Sequence, residues 1–316
     1  MAFQPMRIGT RGSPLALWQA RHFASVARAA IPALAEDGAL EEHIIATSGD
    51  KVQDKRLADI GGKGLFAKEI HEALADGRID VAVHSLKDLE TELPPGIVLA
   101  CVLEREDPRD ALILGAGCGA ATADDPLAVL PQGALVGTAS VRRQAQLLHR
   151  RPDLRVDIIR GNVQTRLGRV AAGDFTCSLL ALAGLKRLGM ADRAQVVLDP
   201  EAMLPAACQG IVGITARADD AATLALLARI EHAPSRLVAD AERALLGALD
   251  GSCRTPIGAH ATLLPDGRLR LHGLVARADG SFLRRNMGEA AAKDGPQLGR
   301  DLAAALKRES PVDIFG

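Results

Sequence analysis

Segments of strand length alternate with helical segments along the first two-thirds of the chain, and the alternation breaks twice. Arg7–Thr10 reads as a strand. Ser13-Pro14 then caps and starts a helix running to about Ala30, with proline at the favoured first position. A strand is predicted at His43–Thr47, a helix at Gly64–Ala75, and strands at Asp80–His84 and Ile97–Leu103. This βαβα rhythm predicts a parallel or mixed sheet covered by helices, the doubly wound α/β class. The first break is the charged segment E-R-E-D-P-R-D (104–110), and the second is Pro205–Gly210. A second α/β unit lies between them, and Gly210–Ala216 then reads as an apolar strand returning to the first. The expectation is two lobes joined by two hinge strands, with a cleft between. The first lobe would comprise 1–103 and 211–228, and the second 109–204.

Beyond about Pro234 the pattern changes. Ser235–Leu249 reads as an amphipathic helix. Strands are predicted at Ala259–Leu264, Arg268–Arg277 and Ser281–Asn286, separated by Asp-Gly hairpin turns, and a helix at Pro296–Lys307. Residues 233–316 are therefore expected to form a small α+β domain.

Charge is concentrated rather than spread. Between Val136 and Val170 the chain has eight arginines, no lysine and two acidic residues, although its net charge is only −1. Arginine grips carboxylates through a rigid fork of donors and keeps its charge. Ala134–Gly137 reads as a strand and Val141 to about Arg151 as a helix capped by Ser140, which puts Arg142 and Arg143 in the first helical turn. The helix dipole disfavours cations there, so an anion is expected to dock on them. The plan recurs with a strand at Val156–Ile159, then Arg160, then a helix from about Asn162 carrying Arg166, and again in Thr10-Arg-Gly-Ser13. A nucleic-acid surface is the competing reading of a basic block. The balanced net charge and the scarcity of aromatics (six Phe, one Trp, no Tyr) count against it.

Two other segments carry reactive groups. His84-Ser-Leu-Lys-Asp88 follows an apolar strand, where open α/β sheets bind ligands. Among so many arginines, Asp88 is expected to be the lone carboxylate, able to stabilise a cation and move protons. Asp250-Gly-Ser-Cys-Arg-Thr-Pro-Ile-Gly258 is a Gly/Pro-shaped loop with Cys253 beside Arg254, a setting that favours the thiolate. Gly61-Gly-Lys-Gly64 lacks the Walker spacing, and Gly115-x-Gly-x-x-Ala120 is not followed by the required helix. The five cysteines are widely spaced without a C-x-x-C pair, so a reducing, cytoplasmic setting without a metal site is expected. Neither a signal peptide nor a membrane span is read in the chain.

Taken in order, I-G-T-R-G-S-P-L-A-L-W-Q-A (8–20), G-G-K-G-L-F-A-K-E-I (61–70), H-S-L-K-D (84–88), E-R-E-D-P-R-D-A (104–111), G-T-A-S-V-R-R-Q-A-Q-L (137–147), R-G-N-V-Q-T-R-L (160–167), A-G-L-K-R-L-G (183–189) and D-G-S-C-R-T-P-I-G (250–258) resemble the porphobilinogen deaminase family. The resemblance implies two periplasmic-binding-protein-like lobes and a small third domain. It implies a transferase that joins four porphobilinogen molecules head to tail into linear 1-hydroxymethylbilane, releasing ammonia, in tetrapyrrole synthesis. The chain would grow on a dipyrromethane cofactor held by a thioether to Cys253. By match of motif, Asp88 is the catalytic acid, and Lys87, Asp88, Ser140, Arg142, Arg143 and Arg166 hold the cofactor. Arg11, Ser13, Gln19, Lys63, Ser85, Thr138, Arg160, Arg166 and Gln209 would bind substrate, with Lys63 and Phe66 on a loop near the cleft. A monomer is expected, with neither nucleic acid nor membrane as partner. Two positions depart from the family pattern: Leu89-Glu90 after Asp88, and Cys208 where glycine is expected. A two-lobed anion-binding protein without catalysis is the alternative, and it leaves Cys253 in its motif unexplained.

Overall fold

A computed structural model describes residues 5–51, 67–120, 125–249 and 255–315. Its strands are β1 (Met6–Thr10), β2 (Leu40–Ile44), β3 (Val81–Ser85), β4 (Ile97–Val102), β5 (Asp110–Leu114), β6 (Leu135–Gly137), β7 (Arg155–Asp157), β8 (Cys177–Ala181), β9 (Val196–Leu198), β10 (Val212–Arg217), β11 (Ile257–Leu263), β12 (Arg268–Ala276) and β13 (Leu283–Ala291). The helices used below are α1 (Pro14–Ala30), α2 (Lys68–Ala75), α3 (Val141–Arg150), α4 (Val163–Ala171), α5 (Ala233–Ala248) and α6 (Gly295–Arg308). The chain forms two compact units. The first gathers the described residues up to 51, 67–106 and 210–236, and the second those of 107–209 and 237–315.

The first unit is built on the sheet β2-β1-β3-β10-β4, with β1 parallel to β2 and β3, and β10 antiparallel to β3 and β4. Strand side chains alternate between faces, so successive residues feed different cores. Val81 and Val83 join Ala20, Phe23 and Ala27 of α1, whereas Ala82 joins Ile70 and Leu74 of α2. The second unit repeats the plan as β7-β6-β8-β5-β9, with the first three parallel and β5 antiparallel to its neighbours. Leu112 and Leu114 pack with Leu147 of α3, while Ala111 and Ile113 pack with Leu167 and Val170 of α4. The fold is thus α/β with two doubly wound mixed sheets of one topology. In each, the antiparallel strand follows a crossing between the units. β5 begins just after the chain enters the second unit, and β10 just after it re-enters the first.

The C-terminal segment forms the antiparallel sheet β11-β12-β13 with α6 against β12 and β13. It packs within the second unit, where Ala145 and Leu204 meet Leu274, Ala276 and Leu283.

Several strands differ from expectation; β7, for one, ends at Asp157 rather than at Ile159. β2 lies three residues earlier than the apolar run Ile44-Ile45 suggests. It is a largely exposed edge strand whose register, Met6↔Leu40 to Thr10↔Ile44, places Glu41 and Glu42 toward solvent. β13 is longer than Ser281–Asn286 because all nine residues of β12 are paired, from Arg268↔Ala291 to Ala276↔Leu283. Gly288 looks like a strand breaker, but a Cβ there would stand 2.8 Å from Leu298 Cδ1, so glycine permits the close approach of α6.

Candidate functional site

In the first unit, β1 ends at Thr10 and Ser13 caps α1, its side chain accepting from the Ala16 amide at 3.3 Å. Arg11 lies in the short turn between them. β3 ends at Ser85, and Leu86–Asp88 follow as one turn of 3-10 helix closed by the Leu89 amide on the Leu86 carbonyl. These ends meet at an open recess lined by Arg11, Ser13, Gln19, His84, Ser85 and Asp88, with Leu15, Ala16, Ala67 and Val83 completing it. Gln19 is 2% exposed and donates from Nε2 to Ser85 Oγ at 2.9 Å, tying α1 to the end of β3. Asp88 is exposed and is the lone carboxylate among these lining residues, with Lys87 beside it half-buried. Burial, with the charges of His71 and Arg11, pushes the His84 imidazole down to about 3, so His84 is neutral. Its Nε2 meets Thr215 Oγ1 at 3.0 Å. The recess therefore presents Arg11, hydroxyl and amide donors, and one carboxylate.

At the departure Leu89-Glu90, Leu89 is buried, and burial draws the His71 imidazole below its ordinary value while the charge of Glu90 opposes that shift.

In the second unit, Ser140 caps α3, accepting from the Arg143 amide, and Thr138 Oγ1 accepts from the Ser140 amide at 3.1 Å. Arg142 and Arg143 occupy the first turn as expected, but the anion that meets them belongs to the chain. Asp110, fully buried at the start of β5, accepts from Arg142 Nη2 at 2.8 Å and from Arg143 Nη2 at 2.8 Å. The parity of β5 explains this, because Asp110 shares the face of Leu112 and Leu114, which α3 covers. Arg142 also donates to the Leu204 carbonyl and Arg143 to the Leu179 carbonyl at 2.9 Å. Burial opposes the charged form of Asp110, but the two guanidiniums outweigh it and hold the carboxyl well below the usual carboxylate range. Burial also draws Arg142 below its ordinary value, with Asp110 opposing.

Asp110 is the buried partner of these arginines that sequence reasoning missed, while Asp88 is the lone carboxylate among the residues lining the recess of the first unit. Gln209, expected at the substrate, donates to Asp110 Oδ1 and to the Pro108 carbonyl, both at 2.7 Å. Arg160 and Arg166 are half-buried around the start of α4, where Asn162 is the cap and Arg166 Nε donates to the Gly161 carbonyl at 3.0 Å. Lys63, Phe66 and Cys253 lie outside the described residues.

The crossings are tightly built. Within the first unit the Glu106 amide donates to the Gly210 carbonyl at 3.0 Å. Gly210 has φ +91, and a Cβ there would stand 2.2 Å from the Glu106 carbonyl oxygen, so only glycine fits. Cys208 has φ +61, which explains why glycine is the residue expected there. Its amide donates to the buried Glu242 carboxylate of α5, which also accepts from the Ala261 amide at 2.6 Å.

Comparison with known proteins places the chain. The porphobilinogen deaminase, dipyromethane cofactor binding domain model matches residues 6–225, and the porphobilinogen deaminase C-terminal domain model matches 237–308. The chloroplastic porphobilinogen deaminase of Oryza sativa subsp. japonica is 48% identical over 98% of this chain and 85% of its own. The porphobilinogen deaminase of Paracoccus denitrificans is 48% identical over 98% of this chain and 96% of its own. The two doubly wound sheets, each with a serine-capped helix after an equivalent strand, define a two-unit α/β protein. The chain belongs to the porphobilinogen deaminase family.

Proposed function

We propose that this enzyme joins porphobilinogen molecules into a linear tetrapyrrole with Asp88 as its catalytic acid. The observation that carries the assignment is the recess of the first unit, where Asp88 is the lone lining carboxylate among Arg11, Ser13, Gln19 and Ser85. Each substrate pyrrole bears an acetate and a propionate, which arginine forks and hydroxyl donors match. The Asp88 carboxyl protonates the departing amine, and its carboxylate then offsets the positive charge that develops on the substrate pyrrole. His84, neutral in the wall of the recess, adds no charge to those of Arg11, Lys87 and Asp88.

Dipyrromethane is the family's cofactor, and the donor set fits a ligand carrying several carboxylates. Arg142, Arg143, Ser140, Arg166, Lys87 and Asp88 would hold it, with Cys253 as the covalent anchor. When bound, it supplies the terminal pyrrole carbon from which the chain grows. Arg11, Ser13, Gln19, Lys63, Ser85, Thr138, Arg160, Arg166 and Gln209 bind the incoming substrate in this reading, Gln209 while donating to Asp110.

The enzyme is proposed to act as a monomer in a reducing cytoplasm. Cys101, Cys118, Cys177 and Cys208 form no disulfide, and the exposed large apolar side chains among the described residues, Ile44, Met287 and Val312, sit on three different elements. None of the described helices is long and apolar enough to cross a membrane. The lobe boundaries proposed remain 1–103 with 211–228, 109–204 and 233–316. The test is incubation with porphobilinogen, following ammonia release and the porphyrin absorbance that develops when the linear product cyclises and oxidises. Porphobilinogen consumption with stoichiometric ammonia supports the reading; binding without ammonia release leaves only an anion-binding protein.

A further inference from the structure

We infer that Asp110 is a positioning residue for cofactor capture: it fixes the Arg142 and Arg143 forks at the start of α3 and leaves the cluster one positive charge in excess, to be met by a carboxylate of the dipyrromethane. The inference rests on the deaminase reading and adds to it a residue that touches neither cofactor nor substrate.

The repeated topology supplies the argument. β5 and β10 hold the same place in their sheets, and their first residues pair with the last residues of equivalent strands, Asp110↔Ala181 and Val212↔Ser85. α1 and α3 follow the equivalent strands β1 and β6, and both are capped by serine. Counting from those caps, Leu15 and Ala16 stand where Arg142 and Arg143 stand. Gln19 answers to Gln146, each 2% exposed. The fold thus builds one position twice, as Leu15, Ala16 and Val212 in the first unit and as Arg142, Arg143 and Asp110 in the second.

The apolar version shows that this fold does not require charges there. A buried ion cluster is weak evidence of a stabilising role, since well-packed apolar residues often replace one without loss. Nor is the cluster balanced. Two guanidiniums, 5% and 6% exposed, face one carboxylate, and Gln209 brings a dipole but no charge. Asp110 holds both forks on one side by three hydrogen bonds, from Arg142 Nη2 and from Arg143 Nε and Nη2. Their orientation is therefore set before a ligand arrives, which is what lowers the cost of ordering a binding site.

The test compares Asp110→Asn, Asp110→Glu and the triple replacement Asp110→Val/Arg142→Leu/Arg143→Ala, which installs the residues of the first unit. Circular dichroism and melting report the fold, and intact mass after incubation with porphobilinogen reports the fraction carrying two linked pyrroles. Asp110→Asn is expected to load about tenfold less cofactor, the scale on which removing an outer hydrogen-bond partner weakens a ligand-holding group. Asp110→Glu is expected to recover part of that loss. The triple variant is expected to melt near the wild type and to load none. Normal loading by Asp110→Asn or by the triple variant overturns the inference, and so does a triple variant that fails to fold. A wild-type chain that never gains two pyrroles overturns the deaminase reading itself, and the inference with it.

Discussion

The same strand–turn–helix unit is used twice in this molecule and is finished differently each time. In the first unit the turn after β1 carries Arg11 and Ser13 at an open recess, and the ground beneath α1 is apolar, with Val212 fully buried. In the second unit the turn after β6 carries Thr138 and Ser140, and the arginines have moved into the first turn of α3, over a buried carboxylate. The first arrangement leaves an acid exposed at an open recess. The second fixes two cations against an internal anion and suits holding a ligand in place. A fold dictates where such sites lie, and a few side chains decide whether they react or grip.

The comparison can be broken most directly at Asp88. Because Asp88 is exposed, Asp88→Ala should leave melting unchanged while turnover falls by about 10²–10⁴-fold, the usual scale of a lost general acid. Near-normal turnover would end the assignment. The arginines should separate next. Arg142→Leu leaves Asp110 paired with Arg143 but removes hydrogen bonds to Asp110 and to the Leu204 carbonyl, and should cost about 1–3 kcal/mol of stability, with loss of cofactor assembly. Arg11→Leu, at the open recess, should cost no more than about 1 kcal/mol while raising the porphobilinogen concentration needed for half-maximal rate. Urea titrations of the two variants check this, and equal costs would contradict the contrast.

His84 sharpens the electrostatic side. Its folded value of about 3 lies below the ordinary 6.5, so between those limits the unfolded chain binds a proton that the folded chain does not. That contribution to stability is present above about 6.5 and is lost as pH falls toward about 3. His84→Gln should flatten the acid limb of stability across that window, measured by melting at stepped pH. An unchanged slope would show that His84 does not titrate as its burial requires. The smallest effect is expected at the crossing, where Cys208→Gly relieves a left-handed backbone but loses a buried thiol and gains unfolded-chain entropy. The net change should stay within about 1 kcal/mol.

Much of this was legible in the sequence because it depends on local chemistry. Ser13, Ser140 and Asn162 cap the helices they were expected to cap or begin, and the turn residues converge in the first unit because strand ends are where such sheets expose them. Edge strand β2 was misplaced because a strand that buries little need not show the apolar pattern used to find it. Asp110 was missed because it closes a run of charges that reads as a solvent-exposed break, and its partners lie 32 and 33 residues away. The signal was present in retrospect: an apolar Ala-Leu-Ile-Leu follows Asp110 directly, and two arginines in a first helical turn call for a counter-ion. An external ligand and an internal aspartate meet that need equally well on paper. Only the parity of β5 against α3 distinguishes them.

The measurement that tests the central claim most directly is intact mass under denaturing conditions, followed by peptide mapping of the same sample. A chain heavier by two linked pyrrole units, with the added mass on the peptide containing Cys253, is the result expected of a deaminase that builds its product on a tethered primer. A chain that stays unmodified after incubation with porphobilinogen, or carries the mass on another cysteine such as Cys208, would contradict the assignment.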